Sequence, residues 1–170
     1  SNGVQADSGV VDADVLHSLQ LARAFGENDP LKIIGAAKIK ELVWHEDAFA
    51  IGFNFGLLTS LVKLDMSVEK ASGYRNGSFM ASTNGMLLLE ELNMRNNLLA
   101  RNGDNGNVTT LDLSWQGRLK KLDVRGTGLT RVKLATGAPV VQLCLPETIE
   151  ELFLEYLPRL AESGLVLDGI

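Results

Sequence analysis

Leu119 to Val140 reads LKKLDVRGTGLTRVKLATGAPV, and its first six residues carry the pattern apolar-x-x-Leu-x-apolar as Leu119-Lys-Lys-Leu122-Asp-Val124. Working outward, the same pattern returns as Ile39-Lys-Glu-Leu42-Val-Trp44, Leu61-Val-Lys-Leu64-Asp-Met66 and Leu89-Glu-Glu-Leu92-Asn-Met94, and after it as Val140-Val-Gln-Leu143-Cys-Leu145. A looser copy, Leu165-Val-Leu167, closes the chain. The key leucines Leu42, Leu64, Leu92, Leu122, Leu143 and Leu165 stand 22, 28, 30, 21 and 22 residues apart. Self-similarity at periods of 20 to 50 residues is the signature of a repeat architecture. The two longer intervals hold insertions.

Five residues after a key leucine come Asn97, Thr127 and Thr148, each able to hydrogen-bond a turn backbone, and an apolar residue follows within two positions. A second series falls between the first: Val108-Thr-Thr-Leu111-Asp-Leu113, Leu129-Thr-Arg-Val132-Lys-Leu134 and Ile149-Glu-Glu-Leu152-Phe-Leu154. Its period-two alternation, bounded by Gly, Pro and Asn, favours short strands over helices. The 22-residue unit from Leu119 to Val140 resembles the leucine-rich-repeat consensus, and the resemblance covers residues 31–170. It is strongest after Leu89 and degraded before it, where Glu69 stands five residues after Leu64. The resemblance is to the thin bacterial type, similar to repeat proteins of gut Bacteroidetes and their phages. It implies a solenoid, α/β to mostly β, with a parallel concave sheet and short strands or irregular segments on the convex side.

One coil of a solenoid cannot bury its own apolar edge, so stacking makes the core. Leu42, Leu64, Leu92, Leu122 and Leu143 are therefore expected in one buried ladder, with Trp44, Met66, Met94, Val124 and Leu145 in the next. Residues 1–30 read as a tag remnant, Ser1-Asn2, followed by an amphipathic helix over Asp12 to Phe25 that caps the first coil. Val15, Leu16, Leu19 and Ala22 fall on one face of that helix, Asp12 or Asp14 caps it, and Gly26 and Pro30 stop it. The far end stops directly after a strand-like run, and an uncovered apolar strand edge invites pairing. The repeat domain thus reads as truncated there, with self-association through residues 165–170 as one consequence.

The 170 residues, 45% of them hydrophobic, suit one domain with a sizeable core. A net charge of −5 with scattered Lys and Arg argues against nucleic acid as a partner. The longest apolar stretch, Ala48 to Val62, is interrupted by polar residues and falls short of the roughly 20 residues that span a bilayer. One cysteine and two histidines give no zinc spacing. Repeat counting places Cys144 four rungs from His45, about 19 Å at strand spacing, which excludes a nucleophilic dyad. The loop from Arg101 to Asn107 lacks the spaced acids of a calcium site. No phosphate-cradling glycine loop precedes a helix. Neither catalysis nor a cofactor or metal is expected.

Function is then sought on the exposed face of the sheet, column by column. Glu41, Lys63, Glu91, Lys121 and Gln142 alternate in sign and read as a register device. The next exposed columns run Val43, Asp65, Asn93, Asp123, Cys144 and His45, Ser67, Arg95, Arg125, Pro146. The insertion after Ser67 adds Tyr74 and Arg75, residue types that anchor binding hot spots, while Phe79 and Met80 lean toward the core. Candidate binding residues are accordingly Asp65, Ser67, Tyr74, Arg75, Asn93, Arg95, Asp123 and Arg125. The competing reading is a solvated face on which Asp65, Asp123, Arg95 and Arg125 pair with one another. By analogy with repeat solenoids, the chain is expected to be a protein- or glycan-binding module of a larger cell-surface, extracellular or virion-associated protein, using the concave sheet and the 67–85 loop. A structural spacer or assembly element is the alternative.

Overall fold

Short extended segments must complete their backbone hydrogen bonds with a neighbour, and here the repeated motifs do so with one another. The computed structural model describes residues 3–6, 10–12, 18–21, 32–44, 55–69, 83–97 and 109–160, with backbone alone at 3–6, 10–12, 18–21, 32–33 and 83. Its strands are β1 (Gly3–Ala6), β2 (Val10–Asp12), β3 (Ser18–Leu21), β4 (Lys32–Ile34), β5 (Glu41–Trp44) and β6 (Lys63–Asp65). They continue as β7 (Glu91–Asn93), β8 (Thr110–Leu113), β9 (Lys121–Asp123), β10 (Arg131–Leu134), β11 (Gln142–Cys144) and β12 (Glu151–Phe153). Seven strands form one parallel sheet in the order β1-β3-β5-β6-β7-β9-β11. A three-stranded parallel sheet has the order β8-β10-β12, and β2 pairs with β4. From β7 onward the chain alternates between the larger sheet and the smaller one.

The register is set by the key leucines: Leu42 stands opposite Leu64, Leu64 opposite Leu92, Leu92 opposite Leu122 and Leu122 opposite Leu143. The 28- and 30-residue intervals leave that alignment untouched. Within the motif, Leu61, Leu64 and Met66 are buried on one rung, and Leu89, Leu92 and Met94 on the next. Leu119, Leu122 and Val124, then Val140, Leu143 and Leu145, continue the same three ladders. Leu111, Leu113, Val132 and Leu134 of the smaller sheet join them in a single core. A one-residue slip would turn every leucine of a strand to the other face, so the ladders and the register support each other.

Turns are closed by polar side chains, buried at Asn97 and Thr127 and exposed at Thr148. Asn97 donates from Nδ2 to the Met66 carbonyl on the preceding rung at 3.1 Å. Thr127 donates from Oγ1 to the Val124 carbonyl at 2.7 Å, and Thr148 to that of Leu129 at 2.6 Å. A buried carbonyl left without a donor costs roughly 1–3 kcal/mol, which accounts for hydrogen-bonding residues at these positions.

The helix expected over Asp12 to Phe25 does not form. Asp12 ends β2, and Ser18–Leu21 is β3, parallel to β5 with Leu19 opposite Leu42. The sequence Leu16-His-Ser-Leu19-Gln-Leu21 repeats the six-residue motif 23 residues ahead of Leu42, so it meets the strand pattern as well as the helical one. The first rung is thus covered by further strands rather than by a helix. Pairings β3–β5 and β2–β4 both run across residue 30.

Candidate functional site

The polar columns of the larger sheet converge where its strands end. Asp65, Asn93 and Asp123 lie side by side in register. Each accepts a hydrogen bond from the backbone N–H two residues on: Ser67 to Asp65 at 3.0 Å, Arg95 to Asn93 at 3.1 Å and Arg125 to Asp123 at 3.2 Å. This is an Asx turn, in which a short acidic or amide side chain replaces a backbone turn bond, repeated on three consecutive rungs. Ser67 adds its own Oγ to Asp65 at 2.7 Å. Asp112 of β8 does the same for the Ser114 N–H at 2.9 Å and also receives its hydroxyl. The Ser114 hydroxyl holds the Asp112 carboxyl below its ordinary value of 3.8.

Charge on this surface is unevenly spent. Arg125 clamps Asp123 from Nε at 3.0 Å and from its terminal nitrogen at 2.6 Å, a two-point carboxylate grip. Arg95, one rung earlier, is exposed, and its guanidinium has no ion-pair partner among the described residues. The solvated-face reading therefore holds for the Asp123–Arg125 pair and fails for Arg95. Arg95 borders two grooves. One, of about 670 Å³, is lined by Ser67, Glu69, Asn93, Asn96 and Asp123. The other, of about 500 Å³, is lined by Arg125, Gly126, Gly128, Pro146 and Glu147. A smaller hollow of about 230 Å³ lies on the sheet itself, among Lys63, Asp65, Glu91, Asn93 and Lys121.

Of the sequence candidates, Asp65, Ser67, Asn93, Arg95, Asp123 and Arg125 are brought together here. Tyr74 and Arg75, together with Phe79, Met80 and His45, lie outside the described residues. The register column is realised between Glu91 and Lys121, paired at 2.8 Å, with Glu90 and Lys120 paired beside it at 2.6 Å. Cys144 is buried at the end of β11, with the Gln142 amide 3.7 Å from its sulfur. Among the described residues no group of three or more His, Cys, Asp or Glu is arranged to hold a metal, and no helix is long and apolar enough to cross a membrane.

Asn96 escaped the sequence reading. It adopts a left-handed backbone, φ 60°, and its Nδ2 donates to the carbonyls of Val68 at 3.0 Å and Glu69 at 3.3 Å, tying two rungs across the groove. Gly126 occupies the same place one rung on, with φ 69°. Asn and Gly are the residues that tolerate this conformation, so the parallel between Arg95-Asn96-Asn97 and Arg125-Gly126-Thr127 was the available signal. No family model, curated protein or solved structure matches the chain.

Proposed function

We propose that the chain is a leucine-rich-repeat solenoid that works as a binding module, recognising a polar protein or glycan partner at the strand-end surface around Arg95. The observation that carries this reading is the uneven use of charge. Asp65, Asn93 and Asp123 are committed to their own turns, and Arg125 to Asp123, while Arg95 stands exposed between two grooves. The in-register leucine ladder supports the solenoid, and the turns hold the Arg95 and Arg125 backbone N–H groups without help from a ligand, which lowers the ordering cost of binding. A module of this kind suits a larger cell-surface, extracellular or virion-associated protein.

The test is a screen of the purified chain against arrayed glycans and purified extracellular proteins, repeated with the double variant Arg95→Ala/Arg125→Ala. The reading expects at least one ligand whose affinity falls tenfold or more in the variant while the melting temperature is nearly unchanged. Ligands bound equally well by both proteins would sink it.

One observation favours a structural role as a second reading. β12 is an edge strand of the smaller sheet among the described residues, and Phe153 on it and Leu154 just after it are exposed. An exposed apolar edge pairs readily with another chain, so assembly through this end is expected to raise the mass in solution and to be reversed by Phe153→Lys.

A further inference from the structure

A separate surface lies at the opposite ends of the larger sheet's strands, in the turns that lead into them. Two backbone bonds, both present at Leu58 and Gln116 and one of them at the other three, mark one turn position on five successive rungs. Leu58, Gln116 and Ala138 donate to the carbonyls of Phe55, Leu113 and Ala135. Leu58, Met86, Gln116 and Leu157 in turn accept from Leu61, Leu89, Leu119 and Leu160. The residue just before this position is Leu57, Gly85, Trp115, Gly137 and Tyr156 in order along the rungs. Large and small side chains therefore alternate. The three large ones stand out from the surface, Leu57 60%, Trp115 66% and Tyr156 76% exposed. The glycines between them leave gaps: an added Cβ at Gly85 would meet the Gly56 backbone, and the Gly137 N–H is bonded to the Tyr156 carbonyl at 2.9 Å.

We propose that this ridge, and Trp115 with Tyr156 above all, is a binding site for an extended, uncharged polysaccharide. Two rungs separate the rings, about 10 Å at strand spacing, a distance close to two sugar residues of an extended chain. The C–H face of a pyranose packs on an aromatic ring, while its hydroxyls take hydrogen bonds from the polar groups beside it. Such groups are present: Thr136, beside Gly137, donates to Glu155, beside Tyr156, at 3.0 Å.

Charge on the adjoining face of the smaller sheet fits an uncharged occupant, and the ridge's own turns carry both signs in Arg118, Glu155 and Arg159. Arg131 is paired with Glu151 at 3.0 Å and Lys133 lies 3.9 Å from Asp112, so two bases and two acids balance on the face of the smaller sheet. The shape argues against a protein partner, since a stable interface needs about 800 Å² per partner with a desolvated centre. The ridge is a row of three large side chains separated by glycines, with Leu87 and Leu154 exposed beside it, and it offers a line more than a broad patch. Tyr156 also holds a left-handed backbone, φ 47°, which costs a bulky residue about 1–2 kcal/mol and is not offset by burial of its ring.

Two readouts test the site. Trp44 is buried and Trp115 exposed, and the chain has two tryptophans, so acrylamide quenching of the fluorescence reports on Trp115. The intact chain is run through native gels containing soluble mixed-linkage β-glucan, hydroxyethyl cellulose, xylan or galactomannan, then titrated with any that retards it. Retardation by at least one of these is expected, with Trp115 shielded from acrylamide. Trp115→Ala and Tyr156→Ala should each weaken binding tenfold or more at unchanged melting temperature, and Trp115→Phe should keep most of it. Arg95→Ala/Arg125→Ala should leave this binding intact, which separates the ridge from the strand-end surface. Absence of retardation by all four polysaccharides overturns the proposal, as does retardation that survives both aromatic variants. Shielding of Trp115 that instead tracks protein concentration, with a doubled mass by light scattering, would make the ridge a contact between two copies and overturn it too.

Discussion

Gly126 and Gly128 stand two residues apart with nearly equal positive φ, 69° and 73°, in unlike surroundings. A Cβ at Gly126 would come 2.4 Å from Asn96 Oδ1, whereas one at Gly128 meets nothing within 4 Å. Both substitutions by alanine carry the left-handed penalty of about 1–2 kcal/mol. Gly126→Ala also disturbs the Asn96 bonds to Val68 and Glu69, worth about 1 kcal/mol more. Urea unfolding should therefore rank Gly126→Ala as the more damaging, by about 1 kcal/mol. Asp112 supplies a second residue-scale test. Its folded value lies below the ordinary 3.8 because the Ser114 hydroxyl donates to the charged carboxylate. The sign follows: the group contributes stability above the unfolded value and loses it as pH falls through the lower folded one. NMR titration should find the Asp112 midpoint below 3.8, and Ser114→Ala should move it upward. The strand-end acids were visible in the sequence, but their commitment to turns was not. An Asp followed two residues on by Ser or Arg looks the same whether it faces a ligand or its own backbone.

At the scale of the strand, buried apolar residues outweigh surface ion pairs. Leu122 is buried in the ladder between Leu92 and Leu143, and Leu122→Ala should cost about 2–5 kcal/mol in chemical denaturation. The Glu91–Lys121 pair on the same strands is part-exposed on both sides, so Lys121→Ala should cost no more than about 1 kcal/mol. If the two variants melted together, the ladder would not be the core described here. The leucine ladder was legible because each motif repeats one residue type at one place, and stacking leaves a single register that buries them all. The first strands were not, because Val15, Leu16, Leu19 and Ala22 satisfy the helical spacing while Leu16, Leu19 and Leu21 satisfy the strand motif. Local pattern cannot choose between these. The unfilled hydrogen-bonding edge of β5 does, and it is visible only once β5 is in a sheet.

For the whole molecule, that edge has a measurable value. Removing residues 1–31 strips β1 and β3 from the larger sheet and β2 from β4, and leaves one edge of β5 unpaired. Light scattering should then show higher-mass species that the full chain lacks, as expected of an exposed parallel edge. If the shortened chain stays monodisperse at the same concentration, the pairing of β3 with β5 is dispensable. The strands of each sheet follow one another in chain order, so each strand is held chiefly by its predecessor and its successor. That arrangement also governs how the chain would bear a load. Held by its two ends and pulled, it has no central clamp whose rupture releases everything at once. It should give way one rung at a time from an end, through several small extensions whose lengths follow the 21 to 30 residues of each rung, like a zip and unlike a latch.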